Sequence, residues 1–339
     1  MLSIEELKEN LQLSQDYREI RIPKKTGGFR TITIPSPKLK RIQRKILRFL
    51  KELYILRDSS VFGLRNGSYA SHARFHAKSR WIFTIDLKDA FTSVTKERVR
   101  FFLTKNLSER ITSVDRWSSL YKTQELIDLI AELTTFNETL PQGAPTSPFL
   151  FFMAIEESKL TTKLFYAAQP MKISCYVDGF AISGAHPPRA RTKEAIFKCI
   201  EKTGFEANFK KTRQYDCHQG SPMIVGLRIN GLENRISLPK KTIRKWRGII
   251  YRAATTIDPC EKKDLFLKIQ GFISSLKPIY PEKLPPQIAK PYSLLLQSLK
   301  GIPIEKKKVS MPKPLVKEDR IFQEKNQSKQ KQTCLTDWF

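Results

Sequence analysis

The sequence is short of acidic residues, has no closely spaced cysteines and contains no long apolar run. Its 339 residues carry 33 Asp and Glu against 61 Lys and Arg, a formal net charge of +28. A surface this positive repels itself unless something negative covers it, so a polyanionic partner is expected, nucleic acid first and an anionic membrane surface second. The five cysteines (Cys175, Cys199, Cys217, Cys260 and Cys334) are odd in number and scattered, with no C-x-x-C pair. They offer neither a disulfide framework nor a cysteine zinc site, and they fit a reducing cytoplasm, the expected location. The longest apolar run, PFLFFMAI at 148–155, falls far short of the roughly 20 residues that span a bilayer. No membrane partner is expected, and the N-terminal segment lacks the apolar stretch of a secretory signal. Among four histidines, His72 and His76 are four apart, but no third ligand or Glu accompanies them as in H-E-x-x-H. They read as structural or nucleic-acid-contact residues.

What is present is an ordinary globular composition, 40% hydrophobic, in a chain long enough for a sizeable core. Residues 1–20 read as helical. Two short strands joined by a basic Gly-Gly turn follow in IPKKTGGFRTITIPSP (22–37), then a basic amphipathic helix, KLKRIQRKILRFLKELYIL. WIFTIDL (81–87) reads as a buried strand, and VDRWSSLYKTQELIDLIAELTTF as a helix. LPQGAPTSP is a loop, and FLFFMAIEESKLTTKLFYAA reads as one helix. CYVDGFAISG (175–184) reads as a hairpin turning at Asp178-Gly179. RARTKEAIFKCIEKTG is a helix ending on Gly204, MIVGLRING a strand with a turn, and 238–300 helical and basic. From about 301 the chain is polar, rich in Lys and Gln, and expected to be flexible. The mixture is of the α+β class.

Two aspartates stand at strand ends among apolar neighbours: Asp86 in FTIDLKDAF and Asp178 in CYVDG. Clustered, half-buried carboxylates repel, and a divalent cation relieves them. Mg²⁺ accepts one or two carboxylates together with water and phosphate oxygens. Two such ions, about 3.5–4 Å apart, activate a 3′-hydroxyl and stabilise leaving pyrophosphate. Singly, each residue has a plain reading: Asp86 as a helix cap, and Asp178 as a turn residue before glycine. Taken together in a chain of charge +28, they point to nucleotidyl transfer on a nucleic acid.

These motifs resemble those of reverse transcriptases of the bacterial retron and group II intron lineage. FTIDLKDAF resembles the first catalytic block, with its metal aspartate at Asp86 and an aromatic at Phe91. LPQGAPTSP resembles the next block, YVDG stands where the family has Tyr-x-Asp-Asp, and GFEANFKKT resembles the following motif through Asn208 and Lys210. IVGLRIN looks like the hairpin before the thumb, and KKTGGFRTITIP like the fingers strands. The resemblance runs from about 20 to 280, and LPQGAPTSP is its most specific part. It implies a right-hand polymerase with fingers, a palm built on an antiparallel sheet, and a helical thumb. The expected divisions are 1–80, 81–235 and 236–300, with a flexible tail at 301–339 that ends in a docking peptide. Asp86, Asp178 and the Leu87 carbonyl would hold two Mg²⁺, with Mn²⁺ as an alternative. Lys25 and Arg30 would bind triphosphate, Phe91 would exclude a 2′-hydroxyl, Gln142 and Gly143 would lie beneath the nucleotide, and Lys210 would protonate pyrophosphate. Bland readings stand beside these: a core phenylalanine, a helix-preceding turn and a solvated lysine. Gly179 replaces the second aspartate of the family motif, which leaves a working site, slow or altered in metal preference, or an inactive nucleic-acid-binding scaffold. SYASHARFHAKSR partly matches a retron Asn-Ala-x-x-His motif, with His72 in place of Asn.

Two further features concern partners. Lys240, Lys241, Arg244, Lys245 and Arg247, with Trp246 among them, would track template–primer phosphates, giving salt-dependent affinity. In the terminal KQTCLTDWF, Gln332, Leu335, Trp338 and Phe339 resemble the peptide that docks into sliding clamps; packing back on the protein's own core is the other reading. The expected function is retron-like RNA-directed DNA synthesis from a structured RNA template to a DNA product, with a role in antiviral defence and an effector protein implied by resemblance only. The alternatives are the inactive scaffold and a clamp-tethered repair polymerase.

Overall fold

The computed structural model describes residues 4–23, 27–54, 61–62, 68–112, 123–230, 233 and 235–299. The chain divides into two compact units, Met1–Leu295 and Leu296–Phe339, and the fold below is that of the first. Lys25 and the docking-peptide residues Gln332, Leu335, Trp338 and Phe339 lie outside the described residues, as does the expected tail at 301–339.

Residues 1–20 are not one helix. Helix α1 covers Ile4–Glu9, a single 3₁₀ turn follows at Leu11–Leu13, and strand β1 begins at Tyr17. YREIRIP has only Ile20 and Ile22 as branched residues and no strict alternation, so its strand comes from pairing with the next segment rather than from its own pattern. β1 (Tyr17–Pro23) pairs antiparallel with β2 (Phe29–Pro35) through its whole length, and Gly27 and Gly28 supply left-handed backbone in the connection. Helix α2 (Pro37–Leu53) starts on the Ser36 side chain, which accepts from the Leu39 N–H, with Pro37 in its first turn. It buries Leu39, Ile42, Ile46, Phe49 and Leu50 and leaves Lys38, Arg41, Arg44 and Arg48 exposed.

The central sheet has the order β3-β5-β6-β4-β7, with β3 at Val61–Phe62, β4 at Trp81–Asp86, β5 at Lys172–Tyr176, β6 at Gly179–Gly184 and β7 at Arg213–Asp216. Only the β3–β5 pair is parallel. Period-two alternation divides its faces. Phe83, Ile85, Ile173, Cys175, Phe180 and Ile182 enter the main core, whose centre is helix α6 (Ser147–Glu157). Residues from Phe149 to Ile155 are all buried there, so this helix is apolar all round. The run after LPQGAPTSP is two helices, because Lys159 takes a left-handed conformation (φ 54°) between α6 and α7 (Leu160–Ala168). Helices α4 (Lys96–Thr112), α5 (Thr123–Thr134) and α8 (Ala190–Glu201) complete this side, and part of the helix expected from residue 114 lies outside the described residues.

Helix α3 (Tyr69–His76) closes one end of the opposite face. His76 bridges two sheet serines, with Nδ1 2.7 Å from Ser183 Oγ and Nε2 2.7 Å from Ser174 Oγ. Ser183 donates onward to Ser79, so Nδ1–H donates to Ser183 while Nε2 accepts from Ser174. His72 stacks on Phe62 at 5.4 Å, and among the described residues neither of its ring nitrogens has a hydrogen-bond partner. The two histidines are core residues. α3 also ties the central sheet to the C-terminal helices: Tyr69 OH donates to the Ser275 carbonyl and Arg74 to that of Ile279. A three-stranded sheet of β8 (Met223–Ile224), β9 (Leu227–Asn230) and β10 (Arg235–Ser237) leads into helices α9 (Lys240–Thr255), α10 (Pro259–Leu276) and α11 (Pro286–Ser298). Trp246 of α9 stacks on Phe272 of α10 at 4.0 Å, so this aromatic is a packing residue within the basic helix.

Burial pushes His72 down to about 4 and His76 down to about 3. Both are therefore neutral in the fold, while in the unfolded chain each protonates near 6.5. The unfolded state takes up protons first as pH falls, so the stability these groups allow is whole above pH 6.5 and is lost progressively below it. At pH 5 the expected loss is roughly 2 kcal/mol for each histidine. Urea unfolding at pH 7.5 and pH 5 checks this: the loss should shrink in a His72→Phe variant, and equal stability of the parent chain at both pH values would contradict it.

Candidate active site

The hairpin that carries Asp178 turns one residue earlier than its Asp-Gly pair suggests. Tyr176 pairs with Gly179, so the two-residue loop is Val177-Asp178 and Gly179 already belongs to β6. Val177, not Gly179, takes the left-handed conformation, with φ 56°. A β-branched residue there is strained by of order 1 kcal/mol or more. Gly179 is not needed for backbone freedom: a Cβ added to it would meet nothing nearer than 3.7 Å. The fold has room for a side chain at 179, beside Asp86 Oδ1.

The sheet register sets Asp86 beside this turn. The last residue of β4, Asp86, pairs with Gly179, and the Leu87 N–H donates to the Asp178 carbonyl at 3.0 Å. Asp86 follows Ile82 and Thr84 along the face of β4 away from the main core, which leaves its carboxylate partly open to solvent. The two carboxylates sense each other. Burial holds the Asp178 carboxyl above the usual range, the negative charge of Asp86 pushes it further, and Lys211 and Arg30 partly oppose the shift. A negatively charged pair of this kind suits a divalent ion. Among the described residues no group of three or more His, Cys, Asp or Glu converges, so an ion here would rest on the two aspartates plus backbone, water and substrate oxygens. The Leu87 carbonyl takes no part in the neighbouring bridge bonds, which run from Lys88 N–H to Glu206 and from Asn208 N–H to Asp86.

GFEANFKKT brings Lys211, the neighbour of Lys210, onto Asp86. Asn208 N–H donates to the Asp86 carbonyl at 2.7 Å, and the Asn208 carbonyl accepts from Lys211 and Thr212. This turn swings Lys211 back, so that its ammonium donates to Asp86 Oδ2 as an ion pair, while Lys210 is exposed. Arg30, exposed on β2, lies near enough to act on Asp178. Gln142 and Gly143 sit against the same strand. The Gln142 carbonyl accepts from Thr33 N–H at 2.8 Å, and a Cβ on Gly143 would lie 2.6 Å from the Thr33 carbonyl and 3.1 Å from Ile32 Cγ2. With φ 138° as well, position 143 admits only glycine without distortion. Phe91 is half-buried and packs on Phe151 at 5.5 Å, which agrees with its reading as a core phenylalanine. Lys240, Lys241, Arg244, Lys245 and Arg247 are all exposed on α9, removed in sequence from the aspartates.

Comparison with known proteins decides the family. Residues 22–233 match the family model described as reverse transcriptase (RNA-dependent DNA polymerase). The chain belongs to the reverse transcriptase family. This makes it a nucleotidyltransferase of the RNA-directed DNA polymerase class, and the α+β fold with its antiparallel palm sheet is the right-hand architecture of that family. It is retron-like: it is 30% identical to the retron Ec73 reverse transcriptase of Escherichia coli over 221 residues, 61% of this chain and 67% of that protein. It is 24% identical to the retron Mx65 reverse transcriptase of Myxococcus xanthus over 280 residues, 79% of this chain and 63% of that one. A solved apo telomerase from Candida tropicalis, truncated from its C-terminal domain, aligns at TM-score 0.46 and 14% identity over 67% of this chain and 55% of its own. Among the described residues no helix is long and apolar enough to cross a membrane.

The two glycines of this reverse transcriptase should respond oppositely to one methyl group. Gly143→Ala should cost about 1–3 kcal/mol, because the Thr33 carbonyl it would strike is held in a paired strand. Gly179→Ala should leave stability nearly unchanged. Chemical denaturation of the two variants compares them, and equal stabilities would refute the docking of the 140–146 loop on β2.

Proposed function

We propose that the chain copies a structured RNA into DNA by two-metal nucleotidyl transfer centred on Asp86 and Asp178. The observation that supports this most is the pairing of Asp86 with Gly179, which sets Asp86 beside the turn that carries Asp178, close enough for the two charges to interact. Divalent ions, Mg²⁺ or Mn²⁺, would supply activation of the primer hydroxyl and neutralisation of the developing charge. The two aspartates and the Leu87 carbonyl would hold them. Arg30, with Lys25, would bind triphosphate oxygens as charged donors. Phe91 would border the sugar, with Phe151 behind it to limit its movement. Gln142 and Gly143 would form the floor beside β2 rather than a free loop. Lys211 stands nearer the carboxylates than Lys210, and either ammonium is a candidate proton donor to pyrophosphate. The exposed basic face of α9 would follow template–primer phosphates.

An antiviral role and an effector partner extend from the retron resemblance. Docking of Gln332, Leu335, Trp338 and Phe339 to a sliding clamp rests on their spacing alone. A cytoplasmic location rests on the odd number and scattered spacing of the cysteines alone. The second reading, an inactive RNA-binding scaffold, draws on Gly179 and on the cation already paired with Asp86.

Incorporation of labelled dNTPs on a primed RNA template, in Mg²⁺ and then in Mn²⁺, separates the two. Product from the parent chain, reduced by about 100-fold or more in Asp86→Asn and Asp178→Asn, is the expected result. No product in either metal would favour the scaffold, and product on DNA templates alone would favour a repair polymerase.

A further inference from the structure

The Lys211 ammonium is already paired with Asp86, and Asp178 stands in the field of Asp86, Lys211 and Arg30. One of the two carboxylates therefore has a cation of the chain's own. The two oxygens of Asp86 also have different surroundings. Oδ2 carries the Lys211 ammonium, while Oδ1 faces the gap at Gly179, 3.7 Å from where a Cβ would begin. Lys211 reaches Oδ2 because its backbone is fixed, its N–H bonded to the Asn208 carbonyl while Asn208 N–H is bonded to Asp86 itself. The ammonium and the carboxylate are thus two ends of one short, hydrogen-bonded piece of chain. Both side chains are only partly covered, 53% exposed for Lys211 and 27% for Asp86, so the contact can open without disturbing the core.

We propose that Lys211 is a displaceable counter-cation: in the nucleotide-free protein it occupies Asp86 in competition with a divalent ion, so that the metal is taken up together with the triphosphate. This rests on the assignment of Asp86 as a metal ligand. The charge balance gives the direction. A divalent ion arriving alone must lie beside the lysine that already pairs with Asp86. An ion that arrives on a triphosphate brings its own negative charge, and the phosphate oxygens give Lys211 and Arg30 other partners. Gly179 accentuates the effect. An aspartate there would stand near Asp86 Oδ1, raise the negative charge of the site and draw the metal independently of nucleotide. The lysine is a positioning residue in this scheme, acting through Asp86.

Mn²⁺ is the probe, with bound and free ion distinguished by its electron paramagnetic resonance signal in the full chain, with and without a non-hydrolysable dNTP. The parent chain should bind Mn²⁺ weakly alone and much more tightly with nucleotide. Lys211→Met and Lys211→Gln should tighten nucleotide-free binding by about five-fold, the order of a partly exposed ion pair, and Lys211→Arg should restore the weak binding. Gly179→Asp should also tighten it. If Asp86→Asn weakens Mn²⁺ binding in the presence of nucleotide while neither neutral variant of Lys211 tightens it without nucleotide, the counter-cation proposal is overturned and the metal site stands. If Asp86→Asn leaves Mn²⁺ binding unchanged with and without nucleotide, the metal assignment falls and the proposal with it.

Discussion

Like charges held together by a sheet register are the constraint on which this molecule turns. The antiparallel ladder from Trp81↔Gly184 to Asp86↔Gly179 leaves no freedom in where Asp86 ends, and the two-residue loop leaves little in where Asp178 stands. Neither carboxylate can retreat, because β4 is flanked on its other side by β7 and the hairpin is anchored by the buried Phe180 and Ile182. The repulsion must be answered by cations. Lys211 and Arg30 oppose it from within the chain, and on the proposed function a divalent ion would add to them from outside.

The core explains why this register is rigid. α6 is buried along nearly its whole length and presses on the face of the sheet that holds Phe83, Ile85 and Phe180. On the other face, the His76–Ser174–Ser183 network joins β5 and β6 a few residues from the aspartates. A neutral, doubly bonded imidazole between two strands resists slippage, since a one-residue shift of either strand would turn its serine to the wrong face. β2 reaches the 140–146 loop through a different contact, the main-chain bond from Thr33 to Gln142, where Gly143 permits the close approach.

Most of the strands and helices were legible because burial writes itself into period. FTID and CYVDG are apolar runs broken by single carboxylates, and the basic stripe of α2 alternates with Leu39, Ile42 and Ile46 at helical spacing. What could not be read depends on main-chain geometry that side-chain types do not encode. The Asp-Gly pair advertises a turn at 178–179, yet the pairing of Tyr176 with Gly179 places the strain on Val177. The Lys210-Lys211 doublet offers two equivalent ammonium groups, and only the bonds of Asn208 decide which one turns inward. YREIRIP was hidden for another reason: its charged residues mimic a solvated helix, and its partner strand lies across a glycine turn.

The geometry at position 179 narrows what its glycine means. A glycine required by backbone conformation or by contact would carry a left-handed φ or a clash, as Gly143 does; Gly179 has neither. The fold would accept a side chain there without cost, so the residue must be understood through charge. With no carboxylate at 179, Asp86 is left paired with the Lys211 ammonium. On the counter-cation proposal, such a site would give up affinity for free metal and gain selectivity for metal that arrives with phosphate. The same loss of charge that suggests an impaired enzyme is therefore also a coherent way to tie metal uptake to substrate.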